Sequence, residues 1–430
     1  MTTHASGRAR ERGVPVTQPG VVAEIEAPPV SVAWLTFVWL MVISTVLAWR
    51  NEVYYSGGID SVVLAKSGIS VVAFVAAYSL WQRSGRGLDI GVRTLSLVSI
   101  YLAATVVGGW AAGTLLSASV VAARVGLLGA TLALLVLSTS SWTLMRTLGY
   151  ALTLMAMACS LPALPAALAG ARLAGGLFPL NANQIAMMYG FPLILLVWRA
   201  MAGYLSPSRI AAIVGLLGLI WLTGSRTGLA ATLLAVAIVI MLSERVPVPA
   251  FVGVLLAVPA VFYVAASTGL VTHYVDRGGA SGNVGNLNSR TIAWHAAFST
   301  PKDFWQLLFG RGLSAKTVSV SGTYWDTQVL DSSWVSAYVQ GGWVGLTVLG
   351  LWAVLTAWGA CRIARPGRAL WVALCVYCLL WSVTASGLLD SYVLFILMAT
   401  TSLAGERTMR DWANGADDRA DARQAASIRG

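Results

Sequence analysis

Apolar runs of about 20 residues recur along this chain, and they constrain its fold more than any other feature of the sequence. A run of that length crosses a bilayer as one α-helix, and about twelve runs lie between Val32 and Thr401. Only 10% of the 430 residues are charged, against roughly 25% in soluble globular domains. The fold class predicted is all-α: a polytopic integral membrane helical bundle of about twelve transmembrane helices with one large extracytoplasmic loop.

The apolar runs divide the chain into five segments. Residues 1–30 and 406–430 are predicted to be disordered cytoplasmic tails, because they are polar and of mixed charge. Residues 31–270 are predicted to carry transmembrane helices 1–9, residues 271–332 an extracytoplasmic catalytic loop, and residues 333–405 helices 10–12. The predicted spans are residues 31–49, 61–81, 92–112, 117–137, 147–165, 183–201, 209–224, 227–243, 249–270, 333–357, 369–386 and 389–404.

The net charge of +11 is predicted to set membrane orientation. Nucleic acid is excluded as a partner because the sequence has no basic helix and no basic patch with interleaved aromatic residues. When the predicted spans are followed along the chain, most basic residues fall on one and the same face of the membrane. The positive-inside rule makes that face cytoplasmic. These basic residues are Arg8, Arg10, Arg12, Arg83, Arg86, Arg93, Arg146, Arg199, Arg209, Arg245, Arg362, Arg365, Arg368, Arg407, Arg410, Arg419 and Arg423. The prediction is a multi-pass protein of the cell membrane with both termini cytoplasmic and the 271–332 loop outside.

Three arginines break this rule, because Arg172, Arg226 and Arg290 are predicted to lie on the outer side. Arg226 lies between Gly224 and Gly228, which permit close approach of a ligand to the backbone. Arg290 opens a predicted short amphipathic helix that ends before Pro301. Guanidinium groups make bidentate bonds to phosphate, so three of them together indicate a diphosphate site. The alternative for Arg226 is an interfacial side chain that reaches lipid phosphate.

Asp331 is the predicted catalytic base, since it ends the outer loop directly before an apolar run. An Asp in that position is equally typical of a helix N-cap. Asp326 and His295 are alternative bases, and Arg311 is a possible secondary contact. No Asp-rich motif is present, so we predict neither a metal site nor a cofactor.

Several segments, taken in order, resemble the O-antigen ligase and O-antigen polymerase superfamily of GT-C type membrane glycosyltransferases. Each resembles a conserved block of that family, and together they cover roughly residues 170–350. They are Arg172 through Gly175 to Asn181–Ala186, Gly224–Gly228, Asn288–Trp294 with Pro301 and Phe309–Gly312, Asp331–Val335, and Gln340–Leu346.

The resemblance implies a function. The expected reaction moves a glycan from an undecaprenyl-diphosphate carrier to a hydroxyl of an acceptor glycan or glycolipid, with inversion at the anomeric carbon, in polysaccharide biosynthesis for the cell envelope. By resemblance, Arg226 and Arg290 bind the diphosphate, with Arg172 as a third contact. The chain departs from the ligase pattern, which has His at the position of Asp331 and Glu at that of Gln340. These departures fit a polymerase-like or divergent member better.

A transporter or flippase for polysaccharide or lipid-linked glycan is the main alternative, because it too needs many spans and outer cations. Transporters usually place charged residues near the bilayer midplane. Apart from the basic residues already counted at the cytoplasmic span ends, Lys66, Arg124 and Asp390 are the charged residues predicted to lie within spans, all near their outer ends. A structural scaffold is a third alternative, but it leaves Arg226 uncompensated near the hydrocarbon. The outer loop with a carboxylate at its exit favours an enzyme.

Overall fold

The structure is a computed structural model that describes residues 31–50, 60–87, 91–203, 206–243, 288–320, 326–364 and 367–429. The described chain is mostly helical, and it has two short strands. The helices are α1 (Val32–Val46), α2 (Ser61–Ser84), α3 (Val92–Ala111), α4 (Leu115–Ser138), α5 (Ser141–Ser160), α6 (Leu164–Leu168), α7 (Ala182–Met201), α8 (Pro207–Leu222), α9 (Arg226–Leu242), α10 (Asn288–Ser299), α11 (Phe304–Phe309), α12 (Ser333–Arg362), α13 (Gly367–Thr384) and α14 (Val393–Arg429). The strands are β1 (Thr317–Ser319) and β2 (Thr327–Val329).

Polar side chains fix where many of these helices begin. Asp60, Ser140 and Ser225 accept hydrogen bonds from backbone N–H groups in the first turns of α2, α5 and α9. At α7, Asn181 and Gln184 cap each other's backbone in a reciprocal capping box. Such caps satisfy N–H groups that the helix itself leaves without acceptors. They therefore set helix starts independently of hydropathy.

Nine of the helices pack side by side into a ring around the start of α14. Neighbours in the ring follow the order α1, α2, α4, α3, α12, α13, α9, α7 and α5, and α5 closes it against α1. Helix α14 packs against six members of the ring, and its residues from Val393 to Met398 are fully buried. The start of α14, at Val393, therefore lies buried inside the ring of helices.

Seven described helices are long and apolar enough to cross a membrane, which indicates a membrane protein. They are α2, α3, α4, α5 with its short continuation through α6, α7, α12 and α13, while α1, α8 and α9 are shorter apolar helices. The predicted total of about twelve spans and the membrane orientation stay predictions. The span predicted at residues 249–270 and the tail predicted at residues 1–30 lie outside the described residues.

The predicted outer loop contains secondary structure where the structure describes it. The predicted amphipathic helix is confirmed as α10, which buries Ala293 and Ala297 against Val318, Val320 and Leu330. Strands β1 and β2 form an antiparallel pair with Thr317 opposite Val329. This pair brings residue 331 to the start of α12.

The second predicted tail also differs from expectation, because α14 remains helical through Arg429. Its last part is rich in Ala and also contains several Arg residues, and both residue types are good helix formers. Helix propensity accounts for this difference, since mixed charge alone does not prevent a helix.

Candidate functional site

A polar cavity of about 330 Å³ lies at the end of the bundle where α14 begins. We call this end the cavity end. Its volume is in the range of small-molecule sites. The wall comes from the end of α1, the starts of α7 and α12, and the connection before α14. Its charged lining residues are Arg50, Lys66, Arg124, Lys316, Asp331 and Asp390.

Asp331 reaches this cavity because of the strand before it. Leu330 is buried, and its N–H donates to the carbonyl of Lys316 at 3.1 Å. The following residue, Asp331, lines the cavity and forms an ion pair with Arg290, with 3.8 Å between Oδ2 and Nε. Ser332, not Asp331, is the N-cap residue of α12. The side chain of Asp331 therefore faces a cation and a cavity.

Burial raises the pKa of the Asp331 carboxyl above its usual value, and the nearby Arg290 guanidinium opposes that rise. The side chain is still 49% exposed, so solvent screens both effects. The direction matters for chemistry because a carboxylate with a raised pKa is a better base than an ordinary Asp. Desolvation thus outweighs the neighbouring cation, the opposite of what an arginine beside Asp331 alone would produce.

Arg172 and Arg226 belong to a second group at the same end of the bundle. Arg172 donates from Nε to the carbonyl of Thr223 at 2.9 Å and from Nη2 to Asn183 Oδ1 at 3.4 Å. Ser225 Oγ donates to the same Asn183 oxygen at 2.8 Å, directly before Arg226 at the start of α9. The predicted segment from Arg172 to Ala186 is therefore tied to the predicted segment Gly224–Gly228.

The side chain of Arg172 approaches Gly224 closely in this second group. Gly224 has φ of 59°, and a Cβ there would lie 3.4 Å from Arg172 Nε. Glycine therefore fits both the backbone conformation and the packing.

The structure describes two groups of the predicted residues rather than one. Arg290 and Asp331 form a pair at the cavity, whereas Arg172 bonds to the turn before α9, whose first residue is Arg226. The cavity lining includes neither Arg172, Arg226 nor Arg290. The link between the two groups is the capping box of α7, because Asn181 and Gln184 also line the cavity.

The secondary candidates lie elsewhere on the surface. His295 is exposed in an open groove with Thr291, Ser299 and Ser319. Asp326 is exposed, and its backbone carbonyl accepts from Val320 N at 3.1 Å. Arg311 also has an exposed side chain. None of the three is among the residues that line the described cavity.

The glycines on either side of Arg311 allow the segment Phe309–Gly312 to pack closely against α12. Gly310 has φ of 75°, and a Cβ there would lie 2.3 Å from the Gln340 carbonyl carbon. Helix α12 breaks at Gly342, where φ is 61°. The N–H groups of Arg311 and Gly312 donate to the carbonyls of Val339 and Gln340 at 2.9 and 3.0 Å. The loop thus bonds to α12 directly before its break.

Gln340 suits its position as an amide. Its Nε2 donates to the carbonyl of Ala315 at 3.0 Å, and its Oε1 accepts from the Tyr101 hydroxyl at 3.3 Å. A carboxylate could accept from Tyr101, but it has no hydrogen to donate to Ala315. This pair of contacts gives a physical reason for Gln at this wall of the cavity.

Four lining cations were not among the predicted site residues: Arg50, Lys66, Arg124 and Lys316. Lys66 and Arg124 carried a sequence signal, because a charge within an apolar run indicates a functional site by default. Asp390, noted in the sequence as a span residue, instead lies in the connection before α14 and pairs with Lys316. Arg50 and Lys316 gave no sequence signal, since basic residues beside spans are common.

Comparisons with protein-family models and with curated proteins find no match to this chain. Among the residues that the structure describes, no group of three or more His, Cys, Asp or Glu side chains is arranged to hold a metal ion. The predicted independence from metals stays a prediction.

Proposed function

We propose that this protein is a membrane glycosyltransferase that moves a glycan from an undecaprenyl-diphosphate carrier to an acceptor sugar hydroxyl. In this respect it resembles the O-antigen ligases and polymerases. The observation that carries the proposal is the position of Asp331, which faces a cavity lined by cations and pairs with Arg290. One carboxylate beside several cations suits a reaction that needs a base and releases an anion.

The proposed reaction is a single displacement. Asp331 accepts the proton of the acceptor hydroxyl as that oxygen attacks the anomeric carbon of the donor glycan. The bond between this carbon and the phosphate oxygen breaks, and its electron pair leaves with the lipid diphosphate. Attack opposite the leaving group inverts the anomeric centre. Cationic side chains stabilise the negative charge that grows on the diphosphate as the bond breaks.

The charge distribution supports an outer location for the cavity end. At the opposite end of the bundle, arginines lie at the start of α3 and α5 and at the end of α7 and α12. These residues are Arg93, Arg146, Arg199 and Arg362. The positive-inside rule predicts that this end faces the cytoplasm. The proposed active site would then face the lipid-linked glycan on the outer side of the cell membrane.

The test is turnover with purified full-length protein, a lipid-diphosphate-linked glycan and an acceptor glycan. We expect release of free lipid diphosphate together with lengthened acceptor. Asp331→Asn should lower the rate by about 10² to 10⁴, the usual contribution of a positioned base. Asp303→Asn is the matched control, because Asp303 caps α11 from outside the cavity and Asn caps equally well. Full activity in Asp331→Asn would refute its role as base.

A transporter or flippase for the lipid-linked glycan is the second candidate. Lys66 and Arg124 favour it, because they lie on apolar helices and line the cavity. The turnover experiment separates the two functions. A flippase would move the donor between leaflets without releasing lipid diphosphate or lengthening the acceptor.

A further inference from the structure

Large aromatic side chains are exposed together at the cavity end of the bundle. Helix α11 contributes Phe304 and Trp305, which are 66% and 48% exposed, and α3 contributes Trp110, which is 61% exposed. We call these three residues the aromatic surface. The rings of Trp110 and Trp305 meet edge to face, with 6.4 Å between their centroids. The ring of Phe304 meets that of Trp305 in the same way at 5.8 Å. Apolar groups that are exposed as one patch indicate an interaction surface.

Close backbone packing holds α11 against the end of α3. A Cβ at Gly108 would lie 2.1 Å from the carbonyl oxygen of Phe309, and a Cβ at Gly312 would lie 2.9 Å from the Cα of Gly109. Contacts this close resist movement, because packed protein interiors have little free volume. The exposure of Phe304 and Trp305 therefore follows from how the backbone of α11 is fixed.

Two membrane-spanning helices lead to the aromatic surface. Helices α3 and α4 are each long and apolar enough to cross a membrane, and the surface lies where α3 ends and α4 begins. Leu115 and Leu116, in the first turn of α4, are also exposed. The ends of spans lie at the boundary between hydrocarbon and headgroups, where Trp is enriched because its ring is apolar and its N–H is polar. The aromatic surface is thus continuous with the lipid-facing sides of two spans.

Helix α11 is too short to cross the membrane itself. Its six residues rise about 9 Å along the axis, whereas the hydrocarbon core is about 30 Å thick. A helix that places aromatic side chains at the level of span ends suits a position in the plane of the membrane interface. Its exposed rings can then lie among acyl chains while its flanking residues stay in the headgroup layer.

We infer that Phe304 and Trp305 insert into the bilayer leaflet at the cavity end, so that α11 anchors the predicted outer loop to the membrane interface. The partner is lipid at the boundary between headgroups and acyl chains. The anchor holds the loop segment that leads to Asp331 near the level of lipid phosphates. The inference depends on the membrane insertion of α3 and α4, and it goes beyond the proposed reaction without resting on it.

The test is the depth of a spin label on the full-length protein in nanodiscs of phosphatidylcholine and phosphatidylglycerol. Trp305→Cys carries the label in a Cys361→Ser background, because the other three cysteines are buried. We measure how often the label collides with oxygen, which concentrates in the bilayer, relative to a water-soluble nickel chelate. This collision ratio should be several-fold higher at position 305 than at a water-exposed control position.

Thr327→Cys is the matched control, because Thr327 is exposed on β2 of the same predicted loop and lies outside the aromatic surface. Val72→Cys gives the reference for hydrocarbon, because Val72 is exposed near the middle of α2, another candidate span. The ratio at position 305 should fall between these two references. Phe304→Cys is the second test position and should give a similar intermediate ratio, so the result does not depend on the folding of one variant.

The other occupants of the surface would give different results. A ratio at positions 304 and 305 equal to that of Thr327→Cys would mean that both face water, and it would overturn the anchor. A label shielded from both oxygen and nickel would mean that protein covers the surface, such as a second copy of this chain, and it would also overturn the anchor.

The depth measurement and the turnover measurement fail independently. If the wild type transfers no glycan but labels at 304 and 305 are embedded in lipid, the proposed function fails and the anchor stands. If the wild type transfers glycan while both labels face water, the anchor fails and the proposed function stands.

Discussion

The two ends of this helical bundle use charge in different ways. At the end opposite the cavity, Glu406 is buried and accepts from Arg93 Nε at 3.3 Å and from Thr94 N at 3.2 Å. Arg407 donates to the carbonyls of Val136 and Thr139. At the cavity end, charged side chains instead surround open volume. Charge at the first end joins helices in the interior, and charge at the second end lines a cavity.

A hydroxyl network extends the contacts of Glu406 through the bundle. Ser402 lies 2.6 Å from the Thr94 hydroxyl and 2.9 Å from that of Thr356, and it accepts from Trp352 Nε1 at 3.2 Å. The network joins α3, α12 and α14. Buried polar groups that are mutually satisfied make a packing arrangement specific. The contacts at this end therefore hold α14 in position, and the cavity lies at the other end of the bundle, where α14 begins.

The largest stability effect is expected at Glu406. Glu406→Ala should lower the free energy of unfolding by about 3 kcal/mol, because it leaves Arg93 without its partner in a mostly buried pair. Asp411→Ala on the same helix is the control. Asp411 lies 3.8 Å from Arg407 and is 57% exposed, so its loss should cost at most about 0.5 kcal/mol.

Unfolding of both variants can be followed by denaturant titration in mixed micelles. On the proposed function, the rate of glycan transfer per folded molecule should stay near that of the wild type in Glu406→Ala. A large loss of rate with unchanged stability would mean that Glu406 serves the reaction and not the stability, which contradicts the difference between the two ends.

The second-largest expected change is a loss of stability at Gly310. It tests whether the cavity wall depends on close backbone packing. Gly310 and Gly113 have similar φ values, 75° and 70°. A Cβ at Gly310 would overlap the Gln340 carbonyl, whereas one at Gly113 meets nothing within 4 Å. Gly310→Ala should therefore destabilise the protein by about 1 to 3 kcal/mol more than Gly113→Ala. Thermal unfolding of the two variants measures the difference, and equal losses would mean that backbone strain alone matters.

The sequence predicted the described apolar helices well because a run of apolar residues has one favourable solution in a bilayer. Helix α5 shows where hydropathy misleads. It was predicted to begin at residue 147, after the charge of Arg146, but Ser140 caps it and it begins at Ser141. Arg146 is partly buried near the start of this helix, and it does not stop the helix because a long arginine side chain can carry its charge toward water.

The site was predicted less completely than the helices. Asp331 and Arg290 were both predicted, and the strand pairing that brings them to α12 was not. Lys66 and Arg124 were noted as charges within spans, but their shared cavity depends on the packing of α1, α2 and α4. Hydropathy identifies each span, and it does not say which spans become neighbours. The contacts between helices could therefore not be predicted from the sequence.

The smallest effect is a shift in pH dependence at the cavity end. Burial raises the pKa of Asp331, and Arg290 opposes that rise. Arg290→Gln removes the opposing charge, so the pKa of Asp331 should rise further. A base must be deprotonated to act, so activity falls as pH drops through this pKa. The acid limb of kcat/KM should therefore move to higher pH in Arg290→Gln, and the movement should be small because Asp331 is half-exposed and solvent screens the charge of Arg290.

Two measurements decide whether that shift arises from the ion pair. Arg290→Lys keeps the positive charge and should hold the acid limb near its wild-type position, although the transfer rate falls if bidentate contact with phosphate is lost. Arg290→Gln in an Asp331→Asn background should show no such acid limb, because the titrating carboxyl is gone. An acid limb that moves to lower pH in Arg290→Gln would contradict the ion pair. The titrating base would then have to be sought outside the cavity, where Asp326 and His295 lie.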